Sequence, residues 1–244
     1  TAVIIAGLTA QGLFGPYLYL GYPVIHGLSA YIFLGVMLVA TLAGLGGSVT
    51  GRVLMAFIHF KTRLKKQNQQ IVFIMICGLV VAVLGFTFGI QLIGSGKGIM
   101  TGVLFTSNKY LGWYTPLVRM TGSVFSFSSG AAGGIFAPAL SSGACIGSVL
   151  SGWMHLNDSN SNLLILSGMV GFLTGITRTP FTSSIIVLEM TDRHNLIFYL
   201  MLAGMLAGMV SVLIDKHSFY DHMKIWYLKD IEKKVDGRQL TVDG

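Results

Sequence analysis

Long apolar stretches, broken by glycine and proline, alternate along this chain with a few short polar segments. A membrane-crossing helix needs about 20 apolar residues, at about 1.5 Å of rise each across a hydrocarbon core of about 30 Å. Residues 1–19 reach that length, with Gly15-Pro16 interrupting them. Residues 29–60 make a run of about 32, near 48 Å as one helix and too long for an upright span. Gly44, Gly46, Gly47 and Gly51 in its middle predict close packing and a tilt rather than two separate spans. Residues 71–93 read as one clean span.

Further along, the lengths no longer fit simple hairpins. Residues 99–105 form a short run behind Gly94-Ser-Gly-Lys-Gly98, and residues 116–127 are barely long enough to cross. Residues 135–154 follow a glycine-rich turn, and two runs of about fourteen and about eleven residues, 163–176 and 180–190, fall short of a span. Residues 195–214 are full length again, and 219–228 make a final short amphipathic run. Half-length apolar helices cannot each cross a bilayer, and irregular backbone at membrane depth is tolerated only inside protein or against a wet cavity. Broken helices in a bundle point to a binding site near the midplane. The expected fold class is an all-α polytopic membrane protein with broken and tilted helices, the core of a transporter or channel.

Composition narrows this further. Hydrophobic residues are 53% of 244 and charged residues 10%, with a mean hydropathy of +0.72; soluble domains carry about 25% charge. No charged residue precedes Arg52 and no Asp or Glu precedes Asp158. A soluble enzyme, a disordered chain and a nucleic-acid-binding domain are excluded despite the net charge of +7. That charge sits mainly in two clusters, Lys61, Arg63, Lys65 and Lys66, and a mixed region from Lys216 to Arg238. Basic clusters beside apolar spans mark the cytoplasmic side, so loop 61–70 and the C-terminal tail are expected there, near anionic headgroups of the lipid bilayer. Cys77 and Cys145 lie in apolar runs and read as packing residues. The chain opens Thr1-Ala-Val-Ile-Ile, the start expected of a cut inside a larger protein.

The most informative chemistry lies in Ser128-Ser-Gly-Ala-Ala-Gly-Gly-Ile-Phe-Ala-Pro138. A glycine-rich turn delivers the chain into an apolar helix near Ile135, with Pro138 in the first turn, where its missing N–H costs nothing. The first N–H groups of a helix lack internal partners and carry the positive end of its dipole. Gly133 and Gly134 place no side chain in front of those donors. Neutral backbone donors can hold an anion without the grip of a Lys or Arg. The competing reading is a tight turn between packed helices. Tyr220 could donate one uncharged hydrogen bond to an anion or serve, like Tyr19, Tyr110 and Tyr227, as an interfacial anchor. Glu189 and Arg119 are lone ionisable groups in apolar runs, each functional or structurally paired.

Ser129-Gly-Ala-Ala-Gly-Gly-Ile-Phe-Ala-Pro138 resembles the glycine-rich anion-binding signature of the CLC chloride channels and chloride/proton antiporters. Thr177-Arg-Thr-Pro-Phe-Thr-Ser-Ser-Ile-Ile-Val-Leu-Glu-Met-Thr191 resembles a later stretch of the same family, and Phe219-Tyr220-Asp221 falls where that family has its pore tyrosine. The resemblance implies one half of an inverted-repeat transmembrane domain over residues 1–230, with a polar cytoplasmic tail at 231–244. It further implies an anion site formed by Gly134, Ile135, Phe136, Ala137 and the Tyr220 hydroxyl, with chloride as the transported ligand and no cofactor. Implied partners are the N-terminal half of the same protein and a second copy in a homodimer, through residues 1–20 and 180–214. The family's first-half signatures are not in this sequence, so its gating and proton-transfer glutamates are expected upstream of Thr1. Nor does the sequence contain the paired nucleotide-binding-type modules of many eukaryotic members. A membrane-embedded enzyme would need an acid/base pair or metal site in the spans, and none is visible; the other alternative is a non-conducting subunit of the same fold.

Overall fold

The computed structural model describes residues 2–14, 19–25, 31–64, 66–106, 109–130 and 133–242, with the side chains of 3, 4, 11, 14, 230 and 232–242 left aside. Among them are ten α-helices and no strand: α1 (Ala2–Phe14), α2 (Ile32–Arg63), α3 (Gln67–Phe88), α4 (Lys97–Phe105), α5 (Thr115–Ser128), α6 (Phe136–Trp153), α7 (Asp158–Thr177), α8 (Pro180–Thr191), α9 (Ile197–Ile214) and α10 (Phe219–Val242). Four helices are long and apolar enough to cross a membrane: α2, α3, α7, and α9 with the 3-10 turn His194–Leu196 before it. The 32 residues of α2 form one uninterrupted helix, as their glycine pattern predicts. By contrast α4, α5 and α8, with 9, 14 and 12 residues, are too short to span.

Three sequence expectations change. Of the first run, the described helix is the 13 residues of α1; residues 15–18 lie outside the described residues, and residues 19–25 are not helical. The run expected at 163–176 is a full-length helix of 20 residues, because α7 begins five residues earlier in a polar stretch. Asn157 caps it, accepting the Asn160 N–H at 2.9 Å. The last helix continues past residue 228 to Val242.

Helix α7 is the axis of the molecule: every residue of its apolar window is buried, against α6, α2 and α9. So central a helix requires neighbours that approach to backbone distance, which only small residues allow. A Cβ on Gly143 of α6 would run into the Gly168 backbone of α7, and one on Gly47 of α2 into the Phe172 carbonyl. Gly44 of α2 meets Ala207 of α9 in the same way. Hydroxyls close these seams: Ser211 Oγ donates to Gly44 O at 3.0 Å, and Ser48 Oγ to Ser211 O at 3.3 Å.

Helix α3 shows the opposite pattern. Only Phe73 and Cys77 are buried on it, while Val72, Met75, Leu79 and Phe86 are exposed, Phe86 to 93%. An apolar helix open on most of its circumference is stable in hydrocarbon and a liability in water. This is an integral membrane protein.

Candidate anion site at the start of α6

The start of α6 is built by three neighbouring pieces of chain. Helix α5 ends at Ser128, Gly130 turns with φ +90, and Gly133 and Gly134 lead into α6. Ile135 holds the N-cap position in the helical region, and no side chain caps the helix. Ala139 N–H donates to Ile135 O at 3.0 Å, which opens the helical ladder, and Pro138 has no N–H to give. The N–H groups of Ile135, Phe136 and Ala137 therefore precede the first bond of the ladder.

Phe136 and Ala137, with Gly133, Gly134 and Pro138, line a cleft of about 450 Å³ whose other walls are Gly122, Ser123 and Ser126 of α5 and residues 92–95. Among the described residues nothing lies within 4 Å of the position a Cβ would take on Gly133 or Gly134. Phe136 is 41% exposed at the rim. Ile135 turns the other way, buried against a narrow space bounded by Thr50, Phe172 and Ile176.

Arg119 is the residue that sequence reasoning left without a role. Its side chain is 2% exposed, yet it lines the cleft. Nη1 donates to Leu92 O at 2.9 Å and Gly94 O at 3.0 Å, and Nη2 to Ser141 Oγ on α6. Nε has no partner among the described residues. The loop that wraps it needs its glycines: Gly94 and Gly96 have φ of +82 and +77, and a Cβ on Gly96 would collide with Ser141 and Arg119. All the acceptors are neutral oxygens, so a full positive charge stands beside the cleft without a carboxylate against it. Its three partners lie 22 to 27 residues away, which is why spacing alone did not reveal them.

Tyr220 does not line this cleft. It occupies the first turn of α10, half exposed, with its ring edge-on to Phe219 at 5.6 Å between centroids. Phe219 is buried close to Gly51 of α2. The turn is fixed by a reciprocal cap: Asp221 N–H donates to Ser218 Oγ, and Ser218 N–H to Asp221 Oδ2, both at 3.0 Å. Glu189 is exposed on α8 and belongs to no such arrangement. Among the described residues no three His, Cys, Asp or Glu side chains gather as metal ligands.

A membrane fold of broken helices, with an uncapped helix start opening into a cleft beside a buried cation, is an architecture suited to holding small anions. The family model described as voltage gated chloride channel matches residues 1–212, and the chain belongs to that family. It is 28% identical over 176 residues to the H(+)/Cl(-) exchange transporter ClcA of Cronobacter sakazakii, a match covering 69% of this chain and 35% of that protein. With the voltage-gated ClC-type chloride channel ClcB of Escherichia coli it shares 32% identity over 108 residues, 43% of this chain and 26% of that one. The chain thus matches about a third or less of the length of these curated relatives. Among solved structures, a CLC-type fluoride/proton antiporter superposes with a TM-score of 0.73 at 21% identity, over 89% of this chain and 52% of that one. A slow cyanobacterial Cl-/H+ antiporter gives 0.63 at 20% identity, over 78% and 48%. These two likenesses establish the fold.

Proposed function

We propose that this chain carries the second half of an anion pathway, conducting or exchanging chloride across a membrane together with an N-terminal half. The observation that carries the reading is the uncapped start of α6 opening into the cleft beside Arg119. Gly134, Ile135, Phe136 and Ala137 supply neutral donors that hold an anion yet release it. Arg119, kept back in the wall by its carbonyl partners, adds a long-range attraction without binding the ion tightly. The names of the relatives, which include both a channel and an exchanger, support anion transport and leave both modes within the proposal. The Tyr220 hydroxyl, which lies outside this cleft, is kept in the proposal as a further donor. The protein acts as a homodimer in this reading, with loop 61–70 and the C-terminal segment on the cytoplasmic side.

The test is bromide substitution. Crystals of the intact protein containing this chain, soaked in bromide, should give an anomalous peak at the Phe136 and Ala137 N–H groups. The same protein in liposomes should pass chloride. No peak at the start of α6, together with no flux, would refute the reading.

A further inference from the structure

We propose that Lys61, in the last turn of α2, acts electrostatically on the anion cleft: held against the chain that leads into α6, its charge concentrates anions at that edge. The inference rests on the anion-pathway reading above. Lys61 Nζ donates to Ser129 O at 2.9 Å, across 68 residues of sequence. Ser129 is the C-cap of α5, and the next residue, Gly130, is held at φ +90 so close that a Cβ there would lie 2.5 Å from Nζ. The ammonium therefore rests on the first two residues of the link between α5 and α6. Phe127 on one side of that link and Gly133 and Gly134 on the other line the cleft.

Two effects follow from one contact. A cation at a helix C-terminus satisfies a carbonyl and opposes the dipole, which steadies α5 and the turn after it. The charge also projects into its surroundings, because the described ion pairs include none with Lys61. Arg63 follows two residues on and adds the same sign. A net positive charge within a Debye length of an opening raises the local anion concentration by about two- to fivefold at low ionic strength and much less in salt. A purely structural cap would show the first effect and not the second. Lys61 thus differs from Arg119, whose guanidinium is locked in the cleft wall by three acceptors.

The experiment uses the intact protein in liposomes, with chloride uptake followed against chloride concentration for wild type, Lys61→Met and Lys61→Arg, with and without potassium gluconate as impermeant salt. Lys61→Met should raise the half-saturating chloride concentration about two- to fivefold at low ionic strength, with the maximal rate little changed. Lys61→Arg should restore the wild-type value, and gluconate should close the gap. Lys61→Gln carries the same expectation if the Met variant fails to fold. An unchanged half-saturating concentration in an active, uncharged variant overturns the proposal, as does a loss shared by the Arg variant and indifferent to salt. Absence of flux in the wild type would instead remove the anion-pathway reading itself.

Discussion

Two arginines, Arg119 buried and Arg178 partly buried, show how one side-chain type takes different work from its surroundings. Arg178 follows α7 in the left-handed region, φ 61, and donates to Gly175 O, Ser48 Oγ, Ser211 O and Asp215 O at 2.9–3.0 Å. It ties the ends of α7 and α9 to α2 and faces none of the cleft. Arg119 has a similar set of carbonyls but stands in the cleft wall. Beside the Arg178 knot, Asp215 accepts from the His217 N–H at 3.0 Å and from His222 Nε2 at 2.9 Å, with Arg52 Nε at 3.9 Å. Desolvation alone would raise its carboxyl, but the His217 N–H, His222 and Arg52 together hold it below the ordinary carboxylate value. A carboxyl lowered by folding contributes stability above its unfolded value of about 4 and loses it as pH falls through the folded value. Asp215→Asn should therefore melt a few degrees below wild type at pH 6, with the gap closing in acid below about pH 4. Thermal unfolding of the intact protein in detergent reads this directly, and a gap unchanged down to pH 3 would contradict it.

At the scale of elements, glycine position matters more than glycine count. Gly143, Gly147 and Gly168 let α6 and α7 touch backbone to backbone, whereas Gly78 on α3 has nothing within 4 Å of its would-be Cβ. Gly143→Val should cost about 1–3 kcal/mol or prevent assembly, because the Gly168 carbonyl and Met169 Cα belong to a helix packed on every side. Gly78→Ala should be neutral or stabilising by up to about 1 kcal/mol, since it fills no contact and favours the helix. Equal effects of the two substitutions on the melting temperature would be incompatible with this packing. Both runs looked alike along the sequence, as apolar stretches containing glycine. What separates them is which neighbour lies across the seam. The α7 start was also hidden, since its polar opening Asp158-Ser-Asn-Ser-Asn breaks the apolar run that marks a span. Asn160, Ser161 and Asn162 are nonetheless buried, Asn162 through bonds to Val24 O at 2.9 Å and the Lys109 ammonium at 3.0 Å.

Across the whole molecule, the apolar surface is uneven. Phe198, Met205, Met209 and Leu213 are exposed at helical spacing along one side of α9, and Phe181 and Ile185 are exposed on α8. This is the region 180–214 proposed above as part of a homodimer contact. Replacing Ile185 and Met209 together by tryptophan should shift the intact protein from dimer to monomer in detergent sizing, with each subunit still folded. An unchanged dimer would move the contact elsewhere. The sequence by itself determined the solvent, the broken-helix class, the single long α2 and the start of α6, because each depends on local periodicity, on glycine and proline, and on charge along a short stretch. The extension of α10 to Val242 escaped it, since a polar helix leaves no apolar stripe to read. Only the tertiary structure decided that α7 is the axis, that Arg119 and the Leu92–Ser95 loop share a cleft with Gly133–Pro138, and that Lys61 reaches Ser129. Those pairings join residues that are distant in sequence through neutral carbonyls. A carbonyl is carried by every residue and leaves no mark in a sequence; its position in space is set only when the helices pack.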